Sequence, residues 1–474
     1  MHWIDLIIFV VYMLAMLWVG HYFLKKNKSA SDYYVGGRDI GKWHIGLSVV
    51  ATDVGGGFSI GLGGLGFTMG ISGSWMLFTG LIGAWLAAVF LVPKIYDIGK
   101  AKLLFTFPQF IHHIYGSRMA RLAGILSLIG YIGFTSSQLL AGAKLASATF
   151  PELNLTAALW IMGAVAVVYT AMGGLKAVIF TDTIQWIILM IGMIGIGLPM
   201  GYFYLGGWDG IKASLPPEFL RFDQLSWQQI VNWSLTVIPI WFVGMTLYQR
   251  IYASRSKEDA VKAWRIAGFL EWPVIALMGT LLGMMAKVAF VQGLLVSPDE
   301  AAAFDPEMGL PLFLSSLLPV GLMGLMMSAY FSAILSTADS CLMAASGNVV
   351  SDLLRIDSKD VNVRLSQFIT LALGLLAIAL ASKMTGVLDL MLQSYAVMVS
   401  GLFIPVIAAL FDRNPNSIGA ISALVFGGGS ALIFSLLDIS IPFKLDPIVP
   451  GLLISSSAYI IGRYYSTSQK SNAL

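Results

Sequence analysis

The chain has 474 residues, of which 57% are hydrophobic and only 11% are charged, and its mean hydropathy is +0.82. This composition predicts an all-helical integral membrane protein with almost no room for a soluble domain. The net charge of +3 is no sign of nucleic-acid binding, and the single cysteine, Cys341, excludes a disulfide framework and a cysteine metal cluster.

Thirteen apolar stretches come close to the roughly 20 residues that a helix needs to cross the hydrocarbon core of a bilayer. They lie at 3–24, 43–70, 75–98, 121–149, 156–172, 177–204, 230–250, 266–291, 314–347, 365–382, 386–410, 417–437 and 447–465. The first carries Asp5 and has neither a basic leading region nor a small-residue cleavage site. It is therefore predicted to be a retained helix rather than a signal peptide.

Lysine and arginine concentrate in alternate loops, as expected when these residues are retained on the cytoplasmic side. The loops after the first, third and seventh stretches are basic, and the last of them begins with Arg250 and Arg255. The loop 297–309 carries four acidic residues and no Lys or Arg. Thirteen spans in a bacterial inner membrane, with the N-terminus outside and the C-terminus in the cytoplasm, satisfy this pattern.

The second stretch contains the sequence ATDVGGGFSIGLGG, in which Asp53 is followed by glycines at 55–57. An ionisable residue at membrane depth is costly unless it is paired or hydrated, so it marks a pathway or a site. Consecutive glycines weaken a helix, and a break frees carbonyl oxygens that lipid cannot satisfy. Close helix packing is the competing explanation for the glycines alone. Together with Asp53, they predict a broken helix that forms a site.

A second break is predicted in the seventh stretch, where Pro239 and Gly244 interrupt an apolar run. Many secondary transporters place two discontinuous helices at corresponding positions of inverted repeats. Because the two breaks lie five helices apart, they predict inverted five-helix repeats at 43–204 and 230–410. Outside the repeats the sequence leaves a peripheral first helix and two peripheral C-terminal helices, at 3–24 and 417–465.

The segment 328–347 is unusually rich in hydroxyl groups for a membrane helix. Oxygen ligands of this kind are those that sodium and other hard cations prefer. The alternative is that the hydroxyls bond back to their own helix or to a neighbouring one. At about 100° per residue, one face of this helix carries the following side chains: Ser332, Ser336, Asp339 and Ser340, with Ala333 and Thr337 alongside.

Several motifs resemble those of the sodium:solute symporter family. DYYVGGRDIG (32–41) resembles the family's cytoplasmic entry to its first broken helix, and LSTADS (335–340) resembles its sodium-binding helix. AGAKLASATF (141–150) and VYTAMGGLKAVIFTDTIQ (168–185) resemble its third to fifth core helices. The resemblance covers nearly the whole chain. It implies the leucine-transporter-like fold, with five plus five inverted helices, one helix before them and two after.

The resemblance also implies two sets of ion ligands. A primary sodium site would use Ala51, Val54, Ala333, Ser336 and Thr337, with Asp53 nearby. A second sodium site, known in some members, matches Asp182, Ser336, Asp339 and Ser340. Two carboxylates without a basic neighbour favour a cation, but they could equally share a proton. Lys144 is the nearest intramembrane base in the sequence, and it could instead neutralise one of them.

The solute is predicted to be small and polar, such as an amino acid, a related carboxylate or a zwitterion. A functional monomer would import it together with sodium by alternating access. Proton-coupled symport on the same fold and a channel remain alternatives. No enzymatic activity is predicted, because the histidines lie near helix ends or in loops and no HExxH motif occurs. The residues favoured for solute binding are Gly57, Phe58, Phe134, Gln138, Trp241, Met245 and Tyr248.

Overall fold

The computed structural model of the protein describes residues 2–24, 30–150, 152–295, 304–354, 363–437 and 439–471. Within these ranges the regular structure is helical, apart from an isolated parallel bridge between Ile40 and Ser254. The helices of the first half are α1 Trp3–Leu24, α2 Ala30–Val35, α3 Lys42–Met69, α4 Trp75–Phe90, α5 Val92–Lys102, α6 Phe107–Tyr115, α7 Ser117–Thr149, α8 Leu155–Gly192, α9 Leu198–Tyr204 and α10 Gly207–Ser214. Those of the second half are α11 Trp227–Val243, α12 Met245–Ala253, α13 Lys257–Phe269, α14 Ala276–Val291, α15 Pro306–Leu317, α16 Leu322–Gly347, α17 Val363–Ala381, α18 Val387–Phe411, α19 Ser417–Ser422, α20 Gly429–Leu436 and α21 Ile448–Ser471.

Short π-helical segments join several of these helices. They connect α8 to α9, α13 to α14 and α19 to α20, and they extend α16: Met193–Gly197, Leu270–Ile275, Ala423–Gly428 and Asn348–Leu353. Such segments occur mostly as single-turn bulges inside longer helices. The joined helices are therefore longer than their α-helical parts alone.

Nine helical segments in the described part of the chain are long and apolar enough to cross a membrane, or ten if α11 and α12 form one bent span. The protein is therefore a multi-pass membrane protein. Helices α1 and α21 lie where the sequence predicts further spans, and the second half of α3 already belongs to one of the nine segments, Ile60–Phe90. The predicted total of thirteen is not confirmed. The orientation of the termini also stays a prediction.

Helix α8 is a hairpin rather than one straight rod. Tyr169 and Thr181 are 12 positions apart, yet their hydroxyl oxygens lie 3.2 Å from each other. A continuous helix would separate these positions by about 18 Å along its axis. The chain must therefore reverse between them. The apolar segments on either side, Leu155–Met172 and Leu175–Tyr204, are two neighbouring spans, as the sequence predicts.

Both predicted helix breaks are confirmed. Within α3, Gly55 has φ 27° and ψ −158°, which lies far from helical geometry. Glycine is the residue that reaches such positive φ values without a steric penalty. Between α11 and α12, Gly244 is extended, with φ −65° and ψ 113°, and the two helices are bent by 41°. The assignment of the breaks to repeats at 43–204 and 230–410 remains untested.

One predicted span begins later than the sequence suggests. The stretch 314–347 is divided, because α15 ends at Leu317 and α16 begins only at Leu322. Between them lie Pro319 and Gly321, and Gly321 has φ 87°. Proline lacks the backbone N–H that a helix interior needs, and a positive φ cannot continue a right-handed helix. The prediction of a single helix from residue 314 is therefore wrong.

The first helix, α1, is fixed to the hydroxyl-rich helix α16. Asp5 accepts backbone hydrogen bonds from Gly321 at 2.7 Å and from Gly324 at 2.8 Å, at the start of α16. A carboxylate suits a helix N-terminus, whose first N–H groups lack partners within the helix. Further along α1, the Tyr12 hydroxyl donates to Ser332. This predicted peripheral helix thus holds two points of α16.

The broken helix α3 lies at the centre of the helical packing. It packs against α8, α13, α14, α15 and α16. Helix α16 in turn packs against α7 and α8. The packing therefore brings the glycine-rich break and the hydroxyl-rich helix into direct contact.

Candidate functional site

The break in α3 lies directly against α7 and α16. A methyl group on Gly55 would come within 2.4 Å of Thr337 Oγ1 and 2.6 Å of Gln138 Oε1. Only glycine fits so close an approach. Next to it, the backbone amide of Gly56 donates to Gln138 Oε1 at 2.6 Å. A side chain of α7 thus satisfies a backbone group at the break.

Most of the predicted primary sodium ligands meet at this contact. Thr337 donates its hydroxyl to the carbonyl oxygen of Ala51 at 2.9 Å, and the carbonyl oxygen of Ala333 lies 3.5 Å from the same hydroxyl. Ser336 precedes Thr337, and its buried hydroxyl lies beside the carboxyl group of Asp182. The side chain of Val54 lies outside the described residues. Carbonyl and hydroxyl oxygens thus meet between α3 and α16.

Arg250 holds the region that the resemblance assigns to a second sodium. Its side chain is fully buried, so its prediction as a cytoplasmic loop residue is wrong. Nη2 donates to Thr52 Oγ1 at 2.5 Å and to Ser340 Oγ at 2.8 Å, and Nε donates to Ser48 Oγ at 3.0 Å. Nη2 also lies 3.6 Å from Asp182 Oδ2. The burial follows from the position of α12, which is buried along its whole length.

The two acids of the predicted second site have different surroundings. Asp182 Oδ2 accepts a hydrogen bond from Ser48 at 2.5 Å, and the carboxyl group also lies beside the hydroxyl of Ser336. Asp339 accepts from Thr170 of α8. The expectation that these acids have no basic neighbour is therefore wrong for Asp182, which faces Arg250.

The neighbour of Asp53 is Glu271, which the sequence patterns do not single out. The two carboxyl groups contact each other, and both side chains are buried. Ionised carboxylates are acceptors only, so a hydrogen bond between them requires one shared proton. Gly80 leaves room for this contact, because a methyl group there would lie 1.9 Å from Glu271 Oε2. The sequence could have indicated Glu271 in the same way as Asp53, because each is an acidic residue inside an apolar stretch.

Three of the predicted solute-binding residues lie on α7 and α11. Gln138 contacts the break in α3, as described above. Phe134, on the same helix, packs edge-on against Tyr395 of α18, with ring centroids 4.9 Å apart. Trp241 is fully buried beside Gly83, and its Nε1 has no hydrogen-bond partner among the described atoms. A buried indole N–H that lacks a partner is a polar group that a ligand can satisfy.

The other predicted solute-binding residues are placed differently. Met245 lies against Gly347, at the end of α16. The Tyr248 hydroxyl donates to the carbonyl oxygen of Phe242 at 2.9 Å, and its ring packs against Phe107 of α6. These contacts involve the far end of α16 and α6 rather than the break. The remaining two, Gly57 and Phe58, lie outside the residues whose side chains are described.

Lys144 forms a separate cluster with two acids of the predicted external loop. Its Nζ lies 2.6 Å from Asp305 and 2.6 Å from Glu307, so it does not neutralise either acid of the second sodium set. Glu307 also accepts two backbone hydrogen bonds from the start of α18, at 3.0 and 3.1 Å. The cluster therefore connects α7, α15 and α18.

The chain is similar to known proteins over most of its length. The model of the "Sodium:solute symporter family" matches residues 33–427. The high-affinity proline transporter PutP of Bacillus subtilis is 27% identical over 455 residues, which cover 93% of each chain. The sodium/myo-inositol cotransporter 2 of Sus scrofa is 28% identical over 497 residues, covering 92% of this chain and 70% of the relative.

Solved structures share the fold. A sodium-coupled sialic acid symporter in a substrate-bound outward-open state has a TM-score of 0.78 at 22% identity, covering 97% of this chain and 96% of that one. Mhp1, a nucleobase-cation-symport-1 family transporter, has a TM-score of 0.58 at 16% identity, covering 94% and 96%. These neighbours are leucine-transporter-like transporters. Because the family model spans most of its length, the chain belongs to the sodium:solute symporter family.

Proposed function

We propose that the protein is a sodium-coupled secondary active symporter that imports a small polar organic solute by alternating access. The observation that carries this proposal is the contact between the break in α3 and the hydroxyls of α16. There Thr337 and the carbonyl of Ala51 lie 2.9 Å apart. A break in a membrane helix is tolerated where its backbone oxygens have a partner, and here an ion can be that partner.

The coupling ion would be sodium. As a hard cation it favours uncharged and charged oxygen ligands over nitrogen or sulfur. The proposed set is made of carbonyl and hydroxyl oxygens, from Ala51, Val54, Ala333, Ser336 and Thr337. The nearby Asp53 would make the local potential more favourable for a positive charge.

The solute would bind beside the break, where Gln138 supplies an amide. Phe134 of α7 and Trp241 of α11 would add an aromatic ring and an indole N–H. Relatives named for proline and for myo-inositol transport small polar molecules, which supports a solute of the same size. We infer an amino acid, a related carboxylate or a zwitterion. Solute and ion would then contact the same segment of α3, because Gly56 bonds Gln138 at 2.6 Å.

Uptake into proteoliposomes tests this function. Radiolabelled proline and myo-inositol are the first probes, followed by other amino acids and carboxylates, each with an inward gradient of sodium or of potassium. Sodium should drive saturable uptake and potassium should substitute poorly. Linkage requires that solute raises sodium affinity by the same factor as sodium raises solute affinity. Equal uptake with a proton gradient and no sodium would contradict sodium coupling.

Proton-coupled symport on the same fold is the second candidate, and the contact between Asp53 and Glu271 favours it. A carboxyl pair that shares a proton can exchange it during a transport cycle. Uptake driven by a proton gradient in sodium-free buffer would support this candidate. A flux that does not saturate with solute concentration would instead indicate a channel.

A further inference from the structure

Glu271 is a buried acid to which neither the proposed sodium site nor the proposed solute contacts assign a role. It lies in the π-helical segment between α13 and α14, and its carboxyl group contacts that of Asp53. Apart from this contact, its two carboxylate oxygens have no hydrogen-bond partner among the described atoms. Because the two acids share one proton, this acid pair carries one negative charge. A buried charge is stable only when the protein or a ligand matches it.

No buried base in the described part of the chain matches this charge. Two basic side chains are buried there, and both have other partners. Arg250 faces Asp182, and Lys144 pairs with Asp305 and Glu307. The proposed sodium ligands lie elsewhere, between α3 and α16, whereas the second acid of the pair lies against α4. The charge of the acid pair is therefore available to a solute.

An indole N–H without a partner lies on the same face of α4. Glu271 Oε2 would lie 1.9 Å from a methyl group on Gly80, and Trp241 Cδ1 would lie 2.5 Å from one on Gly83. Residues three apart share a face of a helix, with β positions about 5–6 Å from each other, so the carboxyl group and the indole ring are about 10 Å apart at most. Nε1 of the indole is bonded to Cδ1, and it has no hydrogen-bond partner among the described atoms.

We propose that Glu271 selects a solute that carries a protonated amine, and that Trp241 binds an oxygen atom of the same solute. This inference rests on the proposed function, because it assigns the chemical class of the transported solute. An ammonium group donates charge-assisted hydrogen bonds to a carboxylate and matches its charge. The indole N–H only donates, so its partner must be an acceptor such as a carboxylate or hydroxyl oxygen. An amino acid or an amino alcohol carries both groups, whereas a polyol or a carboxylate without an amine does not.

The aromatic rings near the acid pair suit an ammonium group as well. Tyr395 of α18 is close enough to both acids to interact with them electrostatically. Phe134 of α7 packs against the Tyr395 ring, with centroids 4.9 Å apart. The face of an aromatic ring is negative and attracts cations. These surroundings therefore favour an amine over an anionic group beside the acid pair.

Paired compounds test the inference on the purified protein. The two members of each pair share a carbon skeleton, and one has a hydroxyl where the other has the amine: alanine and lactate, 4-aminobutyrate and 4-hydroxybutyrate, ethanolamine and ethylene glycol. The measurement is the rise in melting temperature that each compound adds in saturating sodium, over a range of concentrations. In at least one pair the amine should stabilise the wild type with an affinity about tenfold or more above that of its hydroxyl partner.

Four variants locate this preference in the site. Glu271→Gln removes the charge but keeps the size, so it should bind the amine about tenfold or more weakly and bring both members of a pair to similar affinity. Glu271→Asp keeps the charge and should keep the preference. Trp241→Phe removes the indole N–H but keeps an aromatic ring, so it should weaken the amine compound without changing which member is preferred. Glu218→Gln is the matched control, because Glu218 is exposed, and it should bind both members as the wild type does.

The ratio of the two affinities is the decisive readout. A substitution that only loosens the structure lowers the affinity for both members of a pair, whereas loss of the amine contact lowers the affinity for one. The wild-type panel and Glu271→Asp test the inference even if Glu271→Gln fails to fold.

The outcomes separate this inference from the proposed function. Hydroxyl compounds that bind as tightly as their amine partners overturn the inference and leave sodium coupling intact, and so does a panel in which no amine stabilises the protein. A Glu271→Gln variant that folds and keeps the wild-type preference also overturns it. A wild type whose melting temperature does not rise with sodium overturns the proposed function itself.

Discussion

Replacing Gly55 by alanine tests whether the break in α3 forms the sodium site. The backbone at Gly55 has a positive φ of 27°, which costs a residue with a Cβ atom about 1–3 kcal/mol. The added methyl group would also meet Thr337 Oγ1 at 2.4 Å and Gln138 Oε1 at 2.6 Å. Fitting an extra methyl group into a well-packed interior typically lowers the free energy of unfolding by a further 1–3 kcal/mol or so. The variant can avoid the clash only by moving α3 away from α16 and α7, and it can avoid the backbone strain only by changing the geometry of the break.

A movement of this kind separates Ala51 from Thr337, so sodium affinity should fall. Each 1.4 kcal/mol or so that is lost from the sodium-bound state lowers affinity about tenfold. At a sodium concentration of about 100 times Kd, bound sodium stabilises the wild type by about 2.7 kcal/mol. A tenfold weaker variant would retain only about 1.4 kcal/mol of this stabilisation under the same conditions. The assay is the sodium-dependent rise in melting temperature, measured against potassium at equal ionic strength.

Gly195→Ala is the matched control for this measurement. Gly195 also lies in an apolar helical segment, but a methyl group there would meet nothing within 4 Å. Its sodium response should therefore equal that of the wild type. If Gly55→Ala kept the full sodium response as well, the break would not serve the ion site, and the reasoning from its geometry would be refuted.

Three further predictions concern the hydroxyl ligands of α16, the pair of Asp53 and Glu271, and the Lys144 cluster. Ser336→Ala and Thr337→Ala each remove one hydroxyl ligand and leave little void. Each should weaken the sodium activation of uptake strongly while lowering the melting temperature little. Unchanged sodium activation in both variants would show that these hydroxyls contribute only to helix packing. Glu271→Gln keeps an amide that can donate to Asp53, whereas Glu271→Ala leaves the carboxylate of Asp53 buried alone. The free energy of unfolding, measured by denaturant titration, should therefore be about 1–3 kcal/mol lower for the alanine variant than for the glutamine variant. Lys144→Met breaks the ion pairs of a buried lysine with Asp305 and Glu307, whose side chains are 40% and 14% exposed, so it should lower the stability of the protein by less than the 3–5 kcal/mol or so of a fully buried pair; an unchanged melting temperature would show that this cluster does not hold α7, α15 and α18 together.

Local signals in the sequence were sufficient to place the helix breaks. Glycine and proline act on the backbone where they stand, so the positions of Gly55 and Gly244 follow from residues 55–57 and from the run around Pro239. The reversal within α8 follows in the same way from two apolar stretches that are each about as long as a bilayer is thick. These features do not depend on which helices become neighbours.

The partners of buried charges could not be predicted in this way. Arg250 stands at the end of an apolar stretch, where arginine normally marks the cytoplasmic side, and only the packing of α12 inside the bundle buries it. Glu271 and Asp53 lie on helices that are far apart in the sequence, and no periodicity connects them. Contacts of this type depend on tertiary packing, which a pattern along one helix does not contain.

The contacts around α3 also give a physical reason for coupling between ion and solute. Thr337 of α16 bonds the carbonyl of Ala51 at 2.9 Å, and Gln138 of α7 bonds the amide of Gly56 at 2.6 Å. An ion held by Ala51 and Thr337 would keep α3 against α16, and a solute held by Gln138 would act on the same segment of α3 from the other side. Each ligand therefore favours the arrangement of α3 that the other requires, and a ligand shifts a conformational equilibrium only through such differential contacts. Because both act on one short segment, a substitution at Gly55 should weaken sodium and solute binding together, whereas a substitution at Ser336 should weaken solute binding only through the loss of sodium.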